Sequence, residues 1–555
     1  MNDDFGRPFT YDEVRDAAFQ LGALKALGPD GFPSLFYHKY WGIVNEIIRT
    51  TSSDFLAGKV SLRSINQTHI VLIPKIPNPE RTSHFRPISL CNNSYKILSK
   101  LLANRLKPII SRIISPNQNA FIPDRLIQDN IMLAHEAFHY LRLKKDGENH
   151  EFGLKLDMNK AYDRVEWDFL EATLRRFGFA NGWVNLIMAC VTTMSFSIVL
   201  NGCPESFFCP SRGLRQGDPL SPYLFLLVSE VLSLRITKVV VERSLLGVRL
   251  ACKCPPLSHL FFADDSLFFM KATLLNCSKI SLIFKEYCSA SGQLISLEKL
   301  SIYFTPNTSD QMKHLMSLLL GITCTDQPGV YMGLPTFWGR SKNWALAYIK
   351  EKVANKMDGW KEKVLTQAGK EVLIKSVALV IPSFPMSCFR FPKGIYDDLN
   401  VALGNFWWGS NETGNNIHWK SWQFMGLPKE KGGMGFRDLH EFNLALIAKQ
   451  AWRLTNDPNS LWARVLKGRY YPNCCFAVAK KGYCASWGWS SLLEARDFIT
   501  KNNYWQIVSG AMINIWTDCW LPPTDLNDPV RPIHNTRLIP SHAPIMVEEI
   551  IDWDT

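Results

Sequence analysis

Asp264 and Asp265 stand side by side in Leu257-Ser-His-Leu-Phe-Phe-Ala-Asp-Asp-Ser-Leu-Phe-Phe-Met270, where two apolar runs meet. Such runs with a short polar break predict two strands joined by a tight turn, with both acids exposed at its tip. Adjacent carboxylates repel each other, and a hard divalent ion such as Mg²⁺ relieves that repulsion while keeping positions open for water and phosphate. The plain alternative is a hairpin turn that uses Asp because Asp suits turns. Upstream, Phe152-Gly-Leu-Lys-Leu-Asp157 alternates like a strand and ends on a third acid, before a helix-like stretch from Lys160 to Leu174. Three carboxylates holding two ions about 3.5–4 Å apart can move a nucleotidyl group, one ion activating a 3′ oxygen and the other steadying pyrophosphate. Between the acids lies Arg212-Gly-Leu-Arg-Gln-Gly-Asp-Pro-Leu-Ser-Pro-Tyr-Leu-Phe225, a turn followed by an apolar helix. Gly213 and Gly217 permit close backbone approach there, and Gln216 can set an amide against a base or sugar.

The chain that must position these groups has 555 residues, 46% of them hydrophobic, enough for two to four domains. Its 62 Lys and Arg against 50 Asp and Glu leave a net charge of +12, which favours a polyanionic partner. From Arg81 to Pro123 there are seven Lys or Arg and no acid. There Leu98, Leu101, Leu102, Leu106, Ile109 and Ile113 make an apolar helical stripe behind Lys96, Lys100 and Arg105. Residues Arg340 to Lys375 hold nine basic against four acidic side chains. The fourteen cysteines show no clear zinc spacing and read as the reduced thiols of an intracellular protein. No secretory signal or membrane-length apolar span is visible, so a soluble protein with no membrane partner is expected. Helices are expected near Tyr11–Leu24, Leu35–Leu56, Tyr95–Ile114 and Pro222–Val241. The tryptophans after residue 400, Trp407, Trp408, Trp419, Trp422, Trp452, Trp462, Trp487, Trp489, Trp505, Trp516 and Trp520, could stack on bases, though core packing is their commoner fate.

In order along the chain, Asp157, Gln216-Gly217 and Ala263-Asp264-Asp265 resemble motifs A, B and C of reverse transcriptases. The surrounding text is similar to plant non-LTR (LINE-type) retrotransposon polymerases: Lys25-Ala-Leu-Gly-Pro-Asp-Gly31, Leu72-Ile-Pro-Lys75, Phe85-Arg-Pro-Ile-Ser-Leu90, Gln118-Asn-Ala-Phe-Ile122, Lys160-Ala-Tyr-Asp-Arg-Val-Glu-Trp167, Ser291-Gly-Gln293, Tyr331-Met-Gly-Leu-Pro335, Ala368-Gly-Lys-Glu-Val-Leu-Ile-Lys375 and Gly432-Gly-Met-Gly-Phe-Arg437. The resemblance runs from about Thr10 to Pro522. It implies an α+β right-hand polymerase fold: fingers over residues 1–150, a palm with an antiparallel sheet over 151–330, a primer grip and helical thumb over 331–400, and an aromatic-rich extension over 401–555.

The resemblance also implies roles. Asp157, Asp264 and Asp265 would be metal-binding catalytic acids for two Mg²⁺ ions, with Mn²⁺ as a substitute; the alternative for Asp265 is support of primer positioning. Tyr162 would be the gate that leaves no room for a 2′-hydroxyl, the alternative being a core tyrosine. Lys75 and Arg86 would hold the triphosphate, Gln216 and Gly217 the nucleotide, and Tyr331, Met332 and Gly333 the primer end. Lys299 would protonate leaving pyrophosphate, although Ser296 and Leu300 depart from the family pattern around it. The implied activity is RNA-directed DNA synthesis, with an RNA template, a DNA primer and deoxynucleoside triphosphates as partners and the nucleus as its place. Further departures are Leu27 for Pro, Asp124 for Gly, and Ser509-Gly510-Ala511 for a Gly-Asp-Gly turn. The family's N-terminal endonuclease, C-terminal knuckle and ribonuclease H region are expected to be missing. The competing expectation is a silent retroelement remnant that only binds nucleic acid.

Overall fold

The β-branched run Gln67-Thr-His-Ile-Val-Leu-Ile-Pro74 forms strand β1 (Gln67–Pro74) and pairs antiparallel with β2 (Phe85–Cys91). β3 (Glu151–Asp157) follows in a different sheet, whereas β4 (Ser195–Leu200) returns to lie parallel to β1, with β5 (Cys203–Pro204) beyond it. The first sheet therefore has the order β2-β1-β4-β5. The second sheet adds β6 (His259–Phe262), β7 (Asp265–Lys271) and β8 (Ser301–Phe304) to β3, in the antiparallel order β6-β7-β3-β8. A short hairpin, β9 (Val330–Tyr331) and β10 (Leu334–Pro335), comes later. The computed structural model describes residues 2–296, 300–326, 329–336, 341–361, 365–411, 414–415, 417–502, 506–507, 511, 513–515 and 544–550.

β7 is apolar without alternation because it is covered on both faces. Phe269 meets Phe138 of the helix Ile127–Leu143 edge to face at 5.4 Å, and Phe268 meets Phe284 of the helix Leu274–Ser291 at 5.0 Å. Helices on both sides turn a period-2 pattern into a continuous run. Gly153 in β3 lets the first of these helices approach, since a Cβ there would stand 2.7 Å from the Phe138 ring. A long apolar helix, Ser221–Val241, starts on Pro222 and completes the packing with buried Leu224, Leu227 and Leu232.

Several expected helices differ at their ends. Tyr11 to Leu24 is helical only to Phe19, and Leu35–Leu56 divides at Tyr40 into Ser34–Lys39 and Trp41–Leu56. Lys160–Leu174 is not one helix. Tyr162–Arg164 makes a 3₁₀ turn, Val165 is extended, and the α-helix begins at Trp167. Tertiary hydrogen bonds from the Gly213-Leu214 backbone to Val165 and Tyr162, at 2.8 and 2.7 Å, capture the carbonyls a continuous helix would use. The helix Asn93–Ile113 buries Leu98, Leu101, Leu102 and Leu106 as expected, but Arg105 does not belong to its solvent face. Its guanidinium is buried against Glu13 at 3.1 Å and donates to the carbonyls of Phe5, Arg7 and Pro8.

The chain divides into two compact units, residues 1–250 with 255–337, and residues 251–254 with 338–555. The second is helical, with Ala347–Lys361, Lys393–Trp408, Leu439–Asn456, Leu461–Tyr470 and Trp487–Asn502 as its longer elements. Trp407, Trp462, Trp487 and Trp489 are buried in it, and Trp489 stacks on Tyr470 at 4.6 Å. Trp408 and Trp422 are half-buried, Trp419 and Trp452 are exposed, and Trp505, Trp516 and Trp520 lie outside the described residues. Among the described residues no helix is long and apolar enough to cross a membrane, and no disulfide joins the described cysteines.

Behind β6 runs a buried polar chain. Ser115 Oγ donates to Glu230 Oε2 at 3.1 Å and lies 2.7 Å from Ser233 Oγ, which is 2.9 Å from His259 Nε2. Burial pushes His259 down to about 3, so its ring is neutral, and pushes Glu230 up to about 7. The folded state therefore holds a proton on Glu230 that the unfolded chain releases above the ordinary glutamate value of 4.5. This stabilisation is complete below that pH and disappears as pH rises through about 7, at up to about 1.4 kcal/mol per pH unit. Glu230→Gln should remove that slope: in urea unfolding across this range, the stability of the variant relative to the natural chain should rise with pH.

Candidate active site

The register of the second sheet brings the acids together. β7 runs antiparallel to β3 with Asp265 directly opposite Asp157, and the pairing of β6 with β7 leaves Ala263 and Asp264 as a two-residue turn. All three acids are half-buried. The expectation of two exposed acids at the tip therefore changes: Asp264 is in the turn, but Asp265 is already a strand residue on the rung of Asp157. Like charges directly opposite across a ladder are unfavourable. The donor set, carboxylate oxygens on adjoining backbone positions, is the kind a hard cation takes. Among the described residues no group of three His, Cys, Asp or Glu is placed to hold an ion.

The turn is fastened from outside the sheet. Ala263 has φ 54°, the conformation that a II′ turn needs at its first central residue and that glycine usually supplies. Its N–H donates to Gln118 Oε1 at 3.1 Å. Around Gln118, residues 117–119 lie along the edge strand β6: Phe261 N–H donates to Asn117 O at 2.8 Å and Asn119 N–H to Phe261 O at 3.1 Å. Asn117 Nδ2 adds a bond to His259 O at 2.7 Å. Asn130 is fully buried and uses its whole amide. Its Nδ2 donates to Phe261 O at 2.8 Å and to the Tyr331 hydroxyl at 3.3 Å, while its Oδ1 accepts from Asn119 Nδ2. One amide thus ties the acid-bearing hairpin to the β9–β10 hairpin.

Tyr331 sits beside Asp265, whose charge adds to burial in pushing the phenol upward. Met332 and Gly333 form the turn of that hairpin with φ 50° and 81°, the positive pair of a I′ turn. Lys155 Nζ donates to Val330 O at 2.5 Å and holds the same hairpin to β3. Tyr162 stacks on Phe225 at 4.7 Å, and burial together with the nearby Asp264 raises its phenol. Tyr162 is half-buried, with its ring fixed by Phe225.

The Arg212–Leu220 loop reaches both sheets. A Cβ on Gly213 (φ 94°) would stand 2.8 Å from Asp163 O, and one on Gly217 (φ 99°) would stand 3.3 Å from Ser89 O in β2. Arg215 and Asp218 point inward: Arg215 bonds Asn66 and lies 4.6 Å over the Tyr95 ring, and Asp218 accepts the Tyr95 hydroxyl at 2.6 Å. Gln216, between them, is half-buried and hydrogen-bonds Asp163. Desolvation raises the Asp163 carboxyl against the opposing pull of Lys160, Gln216, Lys75 and Arg164. Lys75 is therefore within electrostatic reach of the Gln216–Asp163 pair. It is exposed just past β1, bonding Ser83 O at 3.0 Å, and Arg86 is exposed in β2 opposite Ile73.

Residues 291–296 run beside the segment after Asp157. Ser296 N–H donates to Asp157 O at 2.9 Å, Asn159 N–H to Leu294 O at 2.7 Å, and Gln293 Nε2 to Ala161 O at 2.8 Å. Lys299 lies outside the described residues, as do Ser509 and Gly510. Leu27 is exposed. Asp124 has φ 65°, so the replacement of glycine there does fall on left-handed backbone. Asp tolerates that region better than most side chains, at a cost of order 1 kcal/mol.

Sequence reasoning gave Gln118 only as part of a motif and did not single out Asn130, Asp163, Arg215 or Asp218. Asn130 was legible only as a polar residue inside the apolar Ile127–Leu143 pattern, the signal of a buried amide with a partner.

Residues 73–335 match the family described as reverse transcriptase (RNA-dependent DNA polymerase). The Transposon TX1 uncharacterized 149 kDa protein of Xenopus laevis is 24% identical over 565 residues, covering 96% of this chain and 40% of that protein. The Pol polyprotein of the type-2 retrotransposable element R2DM of Drosophila melanogaster is 32% identical over 172 residues, 30% of this chain and 15% of the relative. A putative ribonuclease H protein of Arabidopsis thaliana is 32% identical over 206 residues, 36% of this chain and 33% of the relative. The mixed helix-and-sheet unit that holds the three acids is thus similar, over residues 73–335, to reverse transcriptase domains. The chain spans two fifths or less of the length of these relatives.

Gly213→Ala should be costly because the new methyl meets backbone rather than a movable side chain. A loss of roughly 2 kcal/mol or more in urea unfolding is expected, together with looser protection of the Arg212–Leu220 amides in hydrogen exchange.

Proposed function

We propose that this chain is an RNA-directed DNA polymerase that extends a 3′-hydroxyl primer on an RNA template with deoxynucleoside triphosphates. The observation that carries this is the rung Asp157–Asp265 with Asp264 in the adjoining turn, Tyr162 lying near Asp264 and Tyr331 near Asp265. Polymerases of this family generally use divalent metals. Asp157 and Asp264 would hold two Mg²⁺ ions, or Mn²⁺ in their place, with Asp265 as a third ligand or a support for the primer end. The ions would supply Lewis-acid activation of the 3′ oxygen and charge neutralisation at the departing pyrophosphate.

The chain's own residues do the rest. Tyr162, braced by Phe225, excludes a sugar 2′-hydroxyl. Lys75 and Arg86 face the triphosphate as point charge and fork. Asp163 fixes the Gln216 amide, and Gly217 keeps the backbone beside it low. Tyr331, Met332 and Gly333 hold the primer terminus, and Lys299 delivers a proton to pyrophosphate. Burial together with Lys107 and Lys25 lowers the Lys100 ammonium, and this crowding of positive charge favours a polyanion nearby. In this reading residues 1–150 serve as fingers, 151–330 as palm, 331–400 as primer grip and thumb, and 401–555 as an extension. The competing reading, a silent remnant that only binds nucleic acid, draws on the replacement of glycine by Asp124 in left-handed backbone.

The purified chain should extend a DNA primer on a synthetic RNA template in Mg²⁺. Asp264→Asn should lower that rate by roughly 10²–10⁴-fold, the scale of losing a group that acts on the reacting atoms. An unaltered chain that binds the hybrid but never extends it, whatever the metal and primer, would establish the silent reading. In the same assay Tyr162→Ala should raise incorporation of ribonucleotides relative to deoxynucleotides, and an unchanged sugar preference would remove Tyr162 from the gate.

A further inference from the structure

Phe121 is the one large side chain that the strap along β6 turns outward under strain. It is 52% exposed, while Ala120 before it and Ile122 after it are 0% and 4% exposed. Its φ is 56°, a conformation that costs a bulky side chain of this kind free energy and that glycine adopts freely. The surroundings impose it. Gln118 Oε1 accepts the N–H groups of Ala120 and Ala263 at 3.0 and 3.1 Å. Arg125 donates from Nη1 to Ser115 O and Gln118 O at 2.5 and 2.6 Å and from Nη2 to Ile114 O at 3.0 Å. With the chain pinned on both sides of Phe121 and its neighbours plugged into the core, the ring has nowhere to go but solvent. Among the described residues no aromatic ring or cation packs on it. Stability alone would favour glycine or a small polar residue here, and strain of this kind persists where the surrounding structure over-determines it and function uses it.

We infer that Phe121 is a contact residue for the template–primer hybrid, its ring lying against the sugar and base surface of the duplex close to the reacting end. This rests on the polymerase reading above. The occupant follows from place and chemistry: the strap bonds directly to the turn that carries Asp264, so whatever is presented to the acids passes close to it. An apolar ring has nothing to offer phosphate oxygens, but it gains free energy against bases and sugars whatever their sequence. The segment that contains it, Arg81 to Pro123, carries six Lys or Arg besides the buried Arg105 and no acid, which suits it to the phosphates of the same duplex.

The test separates strain from contact. Fluorescence anisotropy of a labelled RNA–DNA hybrid, without nucleotide, gives affinity independently of catalysis, and thermal unfolding gives stability. Phe121→Gly relieves the left-handed strain, so it should unfold no more easily than the natural chain and yet bind the hybrid about 5- to 100-fold more weakly, the range for one lost aromatic contact. Phe121→Trp keeps the ring and should bind within about twofold of the natural chain. Equal binding by Phe121→Gly overturns the inference, as does a loss of affinity in both variants that follows a loss of thermal stability. A natural chain that does not bind the hybrid also overturns it. If the natural chain binds but does not extend, with Phe121→Gly still impaired, the polymerase reading fails and the contact stands. If the natural chain extends and Phe121→Gly does so with unchanged affinity, the contact alone fails.

Discussion

The antiparallel pairing of β3 with β7 is the constraint on which the site depends. It sets Asp157 opposite Asp265, and through the β6–β7 turn it fixes Asp264 one residue away. A slip of one residue would turn Asp265 to the other face and bury Phe268 and Phe269 against the wrong helices. The apolar helices on both sides therefore hold register and chemistry together. The penalty of opposing two carboxylates is met by the burial of Phe152, Leu154, Leu267 and Phe268 in the same two strands, each fully buried at about 1.5–3 kcal/mol for a large apolar side chain.

Around that sheet, polar groups rather than apolar ones set fine position. Asn130 joins two hairpins, Gln118 holds a strained turn, and Arg215 with Asp218 sinks the ends of a loop so that Gln216 and Gly217 are left at its crest. A buried amide that uses all its donors is costly to replace, because every substitute leaves a partner unsatisfied. These residues are given no substrate contact in the proposed function, yet they fix the positions of the acid-bearing turn, the β9–β10 hairpin and the Gln216 loop.

Much of this was legible in the sequence. Asp157 at a strand end, the hairpin before Asp265, the helix after Pro222 and the apolar stripe of Leu98 to Leu106 all follow from local pattern. What was not legible depended on distant partners. The Lys160–Leu174 periodicity was overridden by the Gly213-Leu214 backbone, Arg105 was drawn inward by Glu13 and three carbonyls, and Asp265 became a ladder residue through β3. The tryptophans divided between core and surface in ways that composition could not assign: Trp489 is stacked on tyrosines, while Trp419 stands exposed.

The central place of β3 also sets a timetable for synthesis. Its partner β7 follows about 110 residues later in the chain, and β8 later still. At roughly 5–20 residues per second, β3 waits on the order of 5–20 s before β7 is made to fill the first of its two hydrogen-bonding edges. During that interval a strand with Phe152, Leu154 and Leu156 uncovered and both edges open is presented to other chains, a hazard for unwanted pairing.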